Sequence, residues 1–421
     1  MVERRIQRLS GMRDVVGHAH EQRTRAIERL RDFLGDLGYT TIDTPLLEET
    51  ELFVRKSGGE LTSSLYTFTD PGGHRVSLRP EFTSAAIRHL IEEREAWPLP
   101  ARLQYAGPVF RYQPDDAGGY RQFTQFGAEL VGAGGVDADA EVLHLAWEGL
   151  HRLGVDARLR IGHIGVLYRL LGAFELSNRA KVFIVSNIGG IRDGSIGLDT
   201  VVRRATEAGI LERHGERHGE RHGERDGERD GELPQPTLVE GVGVEAAREF
   251  VEGVLSESNP SLLGRRTSEQ IVARLVRKRS ETDSPSVFDE SLSFIGELVR
   301  LEGPPEQVLG QAQSVAVDRG APAGELDELA GIVQMCVSKG VPEELIELDL
   351  GLARGLSYYP GVVFTLLYRS GGGAVLLGSG GRYDGLVRAL GGSEDVPALG
   401  YAYNLEEVIA LRSKLEVVAD S

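Results

Sequence analysis

The sequence predicts an α+β fold: a mainly antiparallel sheet flanked by helices, with a largely helical insertion. Three observations carry this. Short strand-like runs, "LYTFTD", "HRVSLRP" and "ARLQYAGPVFRYQ", follow one another at hairpin distance, separated by Gly, Pro and Asp. Helical periodicity lies beside them rather than alternating with each strand, as a doubly wound fold would require. Strand character then returns late in the chain, after a long helical stretch.

Taken in order, Ala26, Ile27, Leu30, Phe33, Leu34 and Leu37 recur at helical spacing, and Gly38 stops that helix. "TTIDTPLLEETELF" reads as a strand leading into a break at Pro45. "FTSAAIRHLIEER" reads as a helix. "ERHGERHGERHGERDGERDG" is five copies of a four-residue unit with nothing apolar to bury, so it reads as a loop. "SLSFIGELVRLEG" and "ELDELAGIVQMCVSKG" read as helices, as do "GVEAAREFVEGVL" and "SEQIVARLVRKR". "LIELDLGLARGLSYYPGVVFTLLYRS" and "GAVLLGSGGRYDGLVRAL" restore strands. The expected division is a first core part over 1–165, a mainly helical insertion over 166–340 with a low-complexity loop at 212–232, and a second core part over 341–421. Strands on both sides of the insertion can share one sheet.

Bulk properties exclude several functions. At 421 residues with 41% hydrophobic content, the chain can bury real cores. A formal charge of -17 disfavours non-specific grip on nucleic acid, whose phosphates attract basic surfaces. The single cysteine, Cys336, excludes an internal disulfide and suits a cytoplasmic location. No signal peptide is expected, since "MVERRIQRLSGMRDVV" lacks an apolar core, and no membrane span is expected, since no run approaches the roughly 20 apolar residues that one needs. His214, His218 and His222 are four apart, but a glycine in every repeat weakens the helix that would align them, so no metal is expected. No cofactor is expected. "GSGGRYDG" has neither the P-loop nor the dinucleotide pattern, and no nucleophile motif accompanies the histidines.

Four clusters suit a small polar ligand. Glu81 and Thr83 of "LRPEFT", on an extended segment, would face the same side. Arg111 precedes Gln125 and Glu129, which would share a face. "LARGLSYYPG" supplies Arg354, Tyr358 and Tyr359. "GSGGRYDGL" supplies Arg382, Tyr383 and Asp384.

The order "TPLLEETELF", "LRPEFT", "FRYQ…GGYRQFTQFGAE", "ARGLSYY", "GGRYDGLV" and "ALGYAYNLEE" resembles the catalytic core of histidyl-tRNA synthetase, a class II aminoacyl-tRNA synthetase. The resemblance implies a six- or seven-stranded antiparallel sheet and a homodimer formed around the first motif, near Pro45. It implies a histidine site at Glu81, Thr83, Arg111, Gln125, Glu129, Arg354, Tyr358 and Tyr359. The chemistry fits: Glu81, Thr83 and Gln125 suit an ammonium, and Arg111 or Arg354 suits a carboxylate through two parallel bonds. Glu129 and the tyrosine pair suit the imidazole nitrogens.

The departures lie on the nucleotide side. Glu407 stands where the synthetase pattern has a phosphate-binding arginine, and Asn404 replaces a glycine three places earlier. Gln113 replaces a glutamate, Gly119 an arginine and Ser357 an aspartate. A carboxylate beside a triphosphate is repelled by about 4 kcal/mol per unit pair at ~4 Å and an effective dielectric of ~20. The chain is also expected to lack an anticodon-binding domain. With Phe82 in "RPEFT" and "RIGHIGVLYRLL" around His163, the sequence looks more like the regulatory-subunit family of ATP phosphoribosyltransferase. That resemblance implies no catalytic residue in this chain, no tRNA, no membrane, a short catalytic subunit as partner and histidine as effector. The alternatives are a histidyl-tRNA synthetase-like adenylating enzyme without its anticodon domain, and a stand-alone histidine- or RNA-binding module.

Overall fold

The computed structural model describes residues 6–55, 59–114, 119–211, 282–352, 361–370 and 373–419. The repeat at 212–232, its three histidines, Arg354, Ser357, Tyr358 and Tyr359, and the segments "GVEAAREFVEGVL" and "SEQIVARLVRKR" lie outside the described residues. The chain divides into two compact units.

The first unit holds residues 1–173, 184–197 and 292–421. Residues 292–340, expected within the insertion, therefore belong to it. The physical reason is packing: the helix Asp327–Ser338 buries Leu329, Ile332, Val333 and Cys336 and lies against the helix Val136–Arg152, where Gly331 meets Val136.

The helix His18–Asp36 buries Ala26, Leu30 and Leu34 as its periodicity requires, while Leu37 caps it and stays exposed. Gly38 adopts φ +81°, and the Gly38 and Tyr39 N–H groups donate back to Gly35 and Leu34. That turn closes the carbonyls a helix end leaves open. The chain then enters β1 (Thr40–Thr41), β2 (Leu47–Glu49), β3 (Thr67–Thr69) and β4 (Arg75–Leu78). Strands β2, β4 and β3, in that order, form a small antiparallel sheet.

The main sheet also takes β5 (Ala101–Phe110), β6 (Gln122–Val131), β7 (Arg158–His163), β8 (Glu302–Gly303), β9 (Ile346–Asp349), β10 (Val362–Ser370), β11 (Gly373–Arg382) and β12 (Ala398–Asn404). Its order is β1-β5-β6-β12-β11-β10-β7-β9-β8 among the described residues. Only β1 beside β5 and β7 beside β9 run parallel; the other six pairs are antiparallel. Setting aside the two-residue edge strands β1 and β8 leaves seven. Strands from both ends of the chain thus share one sheet.

One face of β6 and β12 carries helices. Phe126 and Tyr403 stack there with centroids 6.2 Å apart, and the Tyr403 hydroxyl donates to the Ala146 carbonyl of the helix Val136–Arg152 at 2.6 Å. Gly149 allows that approach, since a methyl group there would meet the same hydroxyl. The second unit holds residues 174–183 and 198–291. Its described part includes the helix Leu198–Glu207 and a buried Asp283 that accepts hydrogen bonds from the Ser177 N–H and hydroxyl, both at 2.6 Å. No described helix is long and apolar enough to cross a membrane.

Candidate functional site

Strand β6 sets the site, because alternate residues of a strand share a face. Gln125, Gly127 and Glu129 lie on the face opposite Phe126. Across the register, Glu129 pairs with Leu103 of β5 and Gly400 of β12. Gly400 is required: a methyl group there would overlap the Glu129 carboxyl and the Ala128 carbonyl. Gly127 leaves room for the Tyr105 hydroxyl in the same way.

Glu129 is 1% exposed. One carboxyl oxygen accepts from the Thr83 hydroxyl at 2.6 Å and the Tyr105 hydroxyl at 2.8 Å, and the other from the Tyr383 hydroxyl. Burial pushes its pKa up to about 7; the three hydroxyl donors oppose that shift and nearby Glu81 adds to it. Burial likewise holds Tyr105 well above its ordinary value. A buried carboxyl ringed by neutral donors shifts its pKa in this way when no cation neutralises it.

Glu81 and Thr83 meet this cluster differently from the extended reading. Thr83 is the first residue of the helix Thr83–Glu92, so the chain turns between the two. The Glu81 carboxylate accepts from the Ser84 N–H at 3.1 and 3.2 Å, satisfying an orphan donor of the first turn. Burial raises the Glu81 pKa; its bonds to Ser84 lead the opposing influences, with Arg111 behind them. The Gln125 side-chain oxygen accepts from the Phe82 N–H at 3.1 Å, and Phe82 stacks on Tyr105 with centroids 4.5 Å apart. Arg111 donates to the Pro80 carbonyl at 2.9 Å and lies 5.2 Å from the Phe123 ring centre.

The structure therefore brings Glu81, Thr83, Gln125 and Glu129 together, with Arg111 beside Glu81. Arg354, Tyr358 and Tyr359 lie outside the described residues. The "GGRYDG" cluster splits. Tyr383 reaches Glu129, whereas Arg382 turns to buried Asp139 at 2.6 and 2.9 Å and to Asp384 at 3.0 Å, and Asp384 also accepts from the Ala398 N–H. Arg382 and Asp384 are thus bound up internally. Tyr105 and Gly400 were missed by sequence reasoning. The period of β5 was the available signal for Tyr105, two strand positions from Leu103 and facing the same way.

The substituted positions have their own geometry. The Asn404 side-chain oxygen accepts from the Glu406 and Glu407 N–H groups at 3.2 and 3.4 Å, at the start of the helix Leu405–Ala419. The Asn404 cap satisfies two of the first N–H groups of that helix from within, and two acidic residues lie in its first turn. Gly119 adopts φ +93°, and a methyl group there would come within 2.9 Å of the Gln113 side chain. Arg121 donates to the Gln113 carbonyl at 2.7 Å and to the Ser10 carbonyl at 3.3 Å. His163 caps the helix Ile164–Leu170 by accepting from the Val166 N–H at 3.1 Å.

The sequence profile of histidyl-tRNA synthetase matches residues 11–186 and 261–408. The histidine–tRNA ligase of Methanococcus vannielii is 28% identical over 416 residues, covering 99% of this chain and 78% of that one. A Bacillus halodurans structure, described as an ATP phosphoribosyltransferase regulatory subunit/histidyl-tRNA synthetase, superposes with a TM-score of 0.63 at 21% identity, covering 96% of this chain and 82% of that one. The histidine–tRNA ligase subunit of Alicyclobacillus acidocaldarius gives a TM-score of 0.57 at 23% identity, covering 99% and 100%. The likeness to these two structures is one of fold.

Proposed function

Since the chain belongs to the histidyl-tRNA synthetase family, we propose that it keeps a histidine pocket, has given up adenylation, and serves as the regulatory subunit of ATP phosphoribosyltransferase. In this reading it performs no catalysis itself. It partners a short catalytic subunit in the first step of histidine biosynthesis, in the cytoplasm, and carries histidine feedback. The observation that carries the reading is the contrast between the two halves of the site. Glu129, Thr83 and Gln125 converge in one buried cluster, while Glu407 and Gly119 occupy positions where an adenylating enzyme needs cations. The helix start that could receive phosphate is already capped by Asn404. The words describing the Bacillus halodurans protein lend support.

In this reading histidine binds with its ammonium toward Glu81, Thr83 and Gln125, its carboxylate toward Arg111 or Arg354, and its imidazole toward Glu129, Tyr358 and Tyr359. A homodimer forms through the small sheet near Pro45, where Leu46, Leu47, Val54 and Phe68 are exposed. Feedback requires two states of the complex that differ in histidine affinity, since a ligand that binds both equally shifts nothing.

A second reading, an active histidyl-tRNA synthetase, is favoured by the name of the Methanococcus vannielii relative, which aligns along 99% of the chain. Histidine-dependent exchange of pyrophosphate into ATP separates the two. The regulatory reading expects none above background, and clear exchange would sink it. In the complex with the short catalytic subunit, Glu129→Ala and Gln125→Ala should each raise the inhibitory histidine concentration about tenfold or more while basal transferase activity holds.

A further inference from the structure

Thr124 and Gln125 are neighbours on β6, so their side chains point to opposite faces of the sheet. Behind the Gln125 face, a cavity of about 370 Å³ opens on the Thr124 side. It is lined by Arg13, Arg23, Ile27, Pro108, Thr124 and Glu406, among others. A volume of this size falls in the range of ~300–1,000 Å³ typical of small-molecule sites.

Its charges are unbalanced. The Glu406 carboxylate is buried and already engaged: it accepts from the Thr124 N–H at 2.6 Å and the Thr124 hydroxyl at 3.0 Å. Arg13 lies 3.4 Å and Arg23 3.7 Å from the same carboxyl oxygen. Two guanidiniums against one carboxylate leave one positive unit. Each guanidinium carries five N–H donors, most of them unclaimed by these contacts. Arg23 also reaches the Thr124 hydroxyl at 3.4 Å. Arg13 lies over the Tyr120 ring at 4.0 Å, and its Nε is buried without a hydrogen-bond partner. A buried unpaired donor on a cation is costly unless something accepts from it.

We propose that this cavity binds the oxyanion group of a small metabolite, with a phosphate monoester as the best-fitting class. Arg13 and Arg23 grip the anion by charge-assisted bonds. Ile27, Val15 and Pro108 cover a compact carbon portion. The site is separate from the Glu129 cluster and independent of whether that cluster binds histidine. Occupancy joins the segment carrying Arg13 to the helix carrying Arg23.

Titration calorimetry of the whole chain with inorganic phosphate and with glycerol 3-phosphate, at constant ionic strength in chloride, tests it. Glycerol serves as the uncharged control, and a small dicarboxylate tests whether the anion must be phosphate. The expected result is saturable binding of both phosphate compounds, tighter for the monoester, and none of glycerol. Arg13→Gln and Arg23→Gln should each weaken binding about tenfold or more. Glu406→Gln keeps an acceptor for the Thr124 N–H but removes the competing charge, so it should tighten binding. Thermal melts of the variants establish that they fold. If the parent gives no saturable binding, the proposal is overturned. Unchanged binding in both arginine variants, or weaker binding in Glu406→Gln, overturns it as well. Tighter binding of the dicarboxylate than of the monoester overturns the phosphate assignment.

Discussion

Glu129 and Glu406 are two buried carboxyls served by the same strand, and they are held in opposite ways. Glu129 takes hydrogen bonds from three neutral hydroxyls and sits near a second carboxyl, Glu81. Glu406 takes an N–H and a hydroxyl from Thr124 and has two arginines within 4 Å. The first arrangement leaves a group whose charge depends on its surroundings, able to meet a ligand's own donors. The second leaves a carboxylate outnumbered by cations. Burial alone therefore does not set a carboxyl's role; the charge of its donors does.

The strongest way to break the comparison is Gly400→Ala, which places a methyl group in the Glu129 carboxyl and against a backbone carbonyl. Neither can move far in a sheet. A loss of more than about 3 kcal/mol in denaturant unfolding is expected, because overpacking at its worst reaches this range; on the proposed function, histidine binding is lost with it.

Next comes pH. Glu129 titrates near 4.5 when unfolded and at about 7 when folded. The folded state holds the extra proton between those values, so this contribution is fully present below pH 4.5 and is lost as pH rises toward 7. The change corresponds to roughly 3 kcal/mol at ~1.36 kcal/mol per pH unit. Asp349, pushed up to about 6 by burial, slopes the same way at lower pH. Glu129→Gln should therefore flatten the stability curve between pH 6 and 7 and leave a slope below it, measured by urea melts across pH.

A smaller effect is expected from Glu406→Gln. It retains an acceptor for the Thr124 N–H and loses two part-exposed ion pairs, so it should cost about 2 kcal/mol. Urea unfolding of the variant beside the parent measures it. The smallest effect should come from deleting residues 212–231. Loop-closure entropy changes slowly with length, so unfolding free energy, and on the proposed function histidine affinity, should stay within about 0.5 kcal/mol of the parent. A larger loss would mean that the repeat contributes contacts.

Much of this was legible in the sequence. The period of two along "QFTQFGAELV" put Gln125 and Glu129 on one face, and hairpin spacing gave the antiparallel pairs. Thr83 was read on an extended segment because "SLRPEFT" is continuous with a strand. The helix begins there because Glu81 accepts locally from the Ser84 N–H and the Gln125 side-chain amide, 43 residues away, accepts from the Phe82 N–H; the second of these spacing alone cannot reveal. Arg382 looked available in "GGRYDG", yet its partner Asp139 is 243 residues away. Glu406 escaped notice beside Glu407 for the same reason: its donor, Thr124, is 282 residues distant. Long-range pairs of this kind decide which polar residues are spent on the fold and which are left for ligands.

The left-handed backbone at Gly119 bears on how such a chain could change course. Restoring the arginine of the synthetase pattern there would place a side chain in a conformation that costs roughly 1–3 kcal/mol and against the Gln113 amide. Restoring arginine at position 407 would set a cation in a helix first turn that now favours carboxylates. Each reversion is unfavourable until the backbone and the Asn404 cap have changed, so the order of substitutions matters. In the regulatory reading proposed above, the fold acts as a ratchet: a nucleotide side given up, once locked into the chain's own geometry, is not undone one residue at a time.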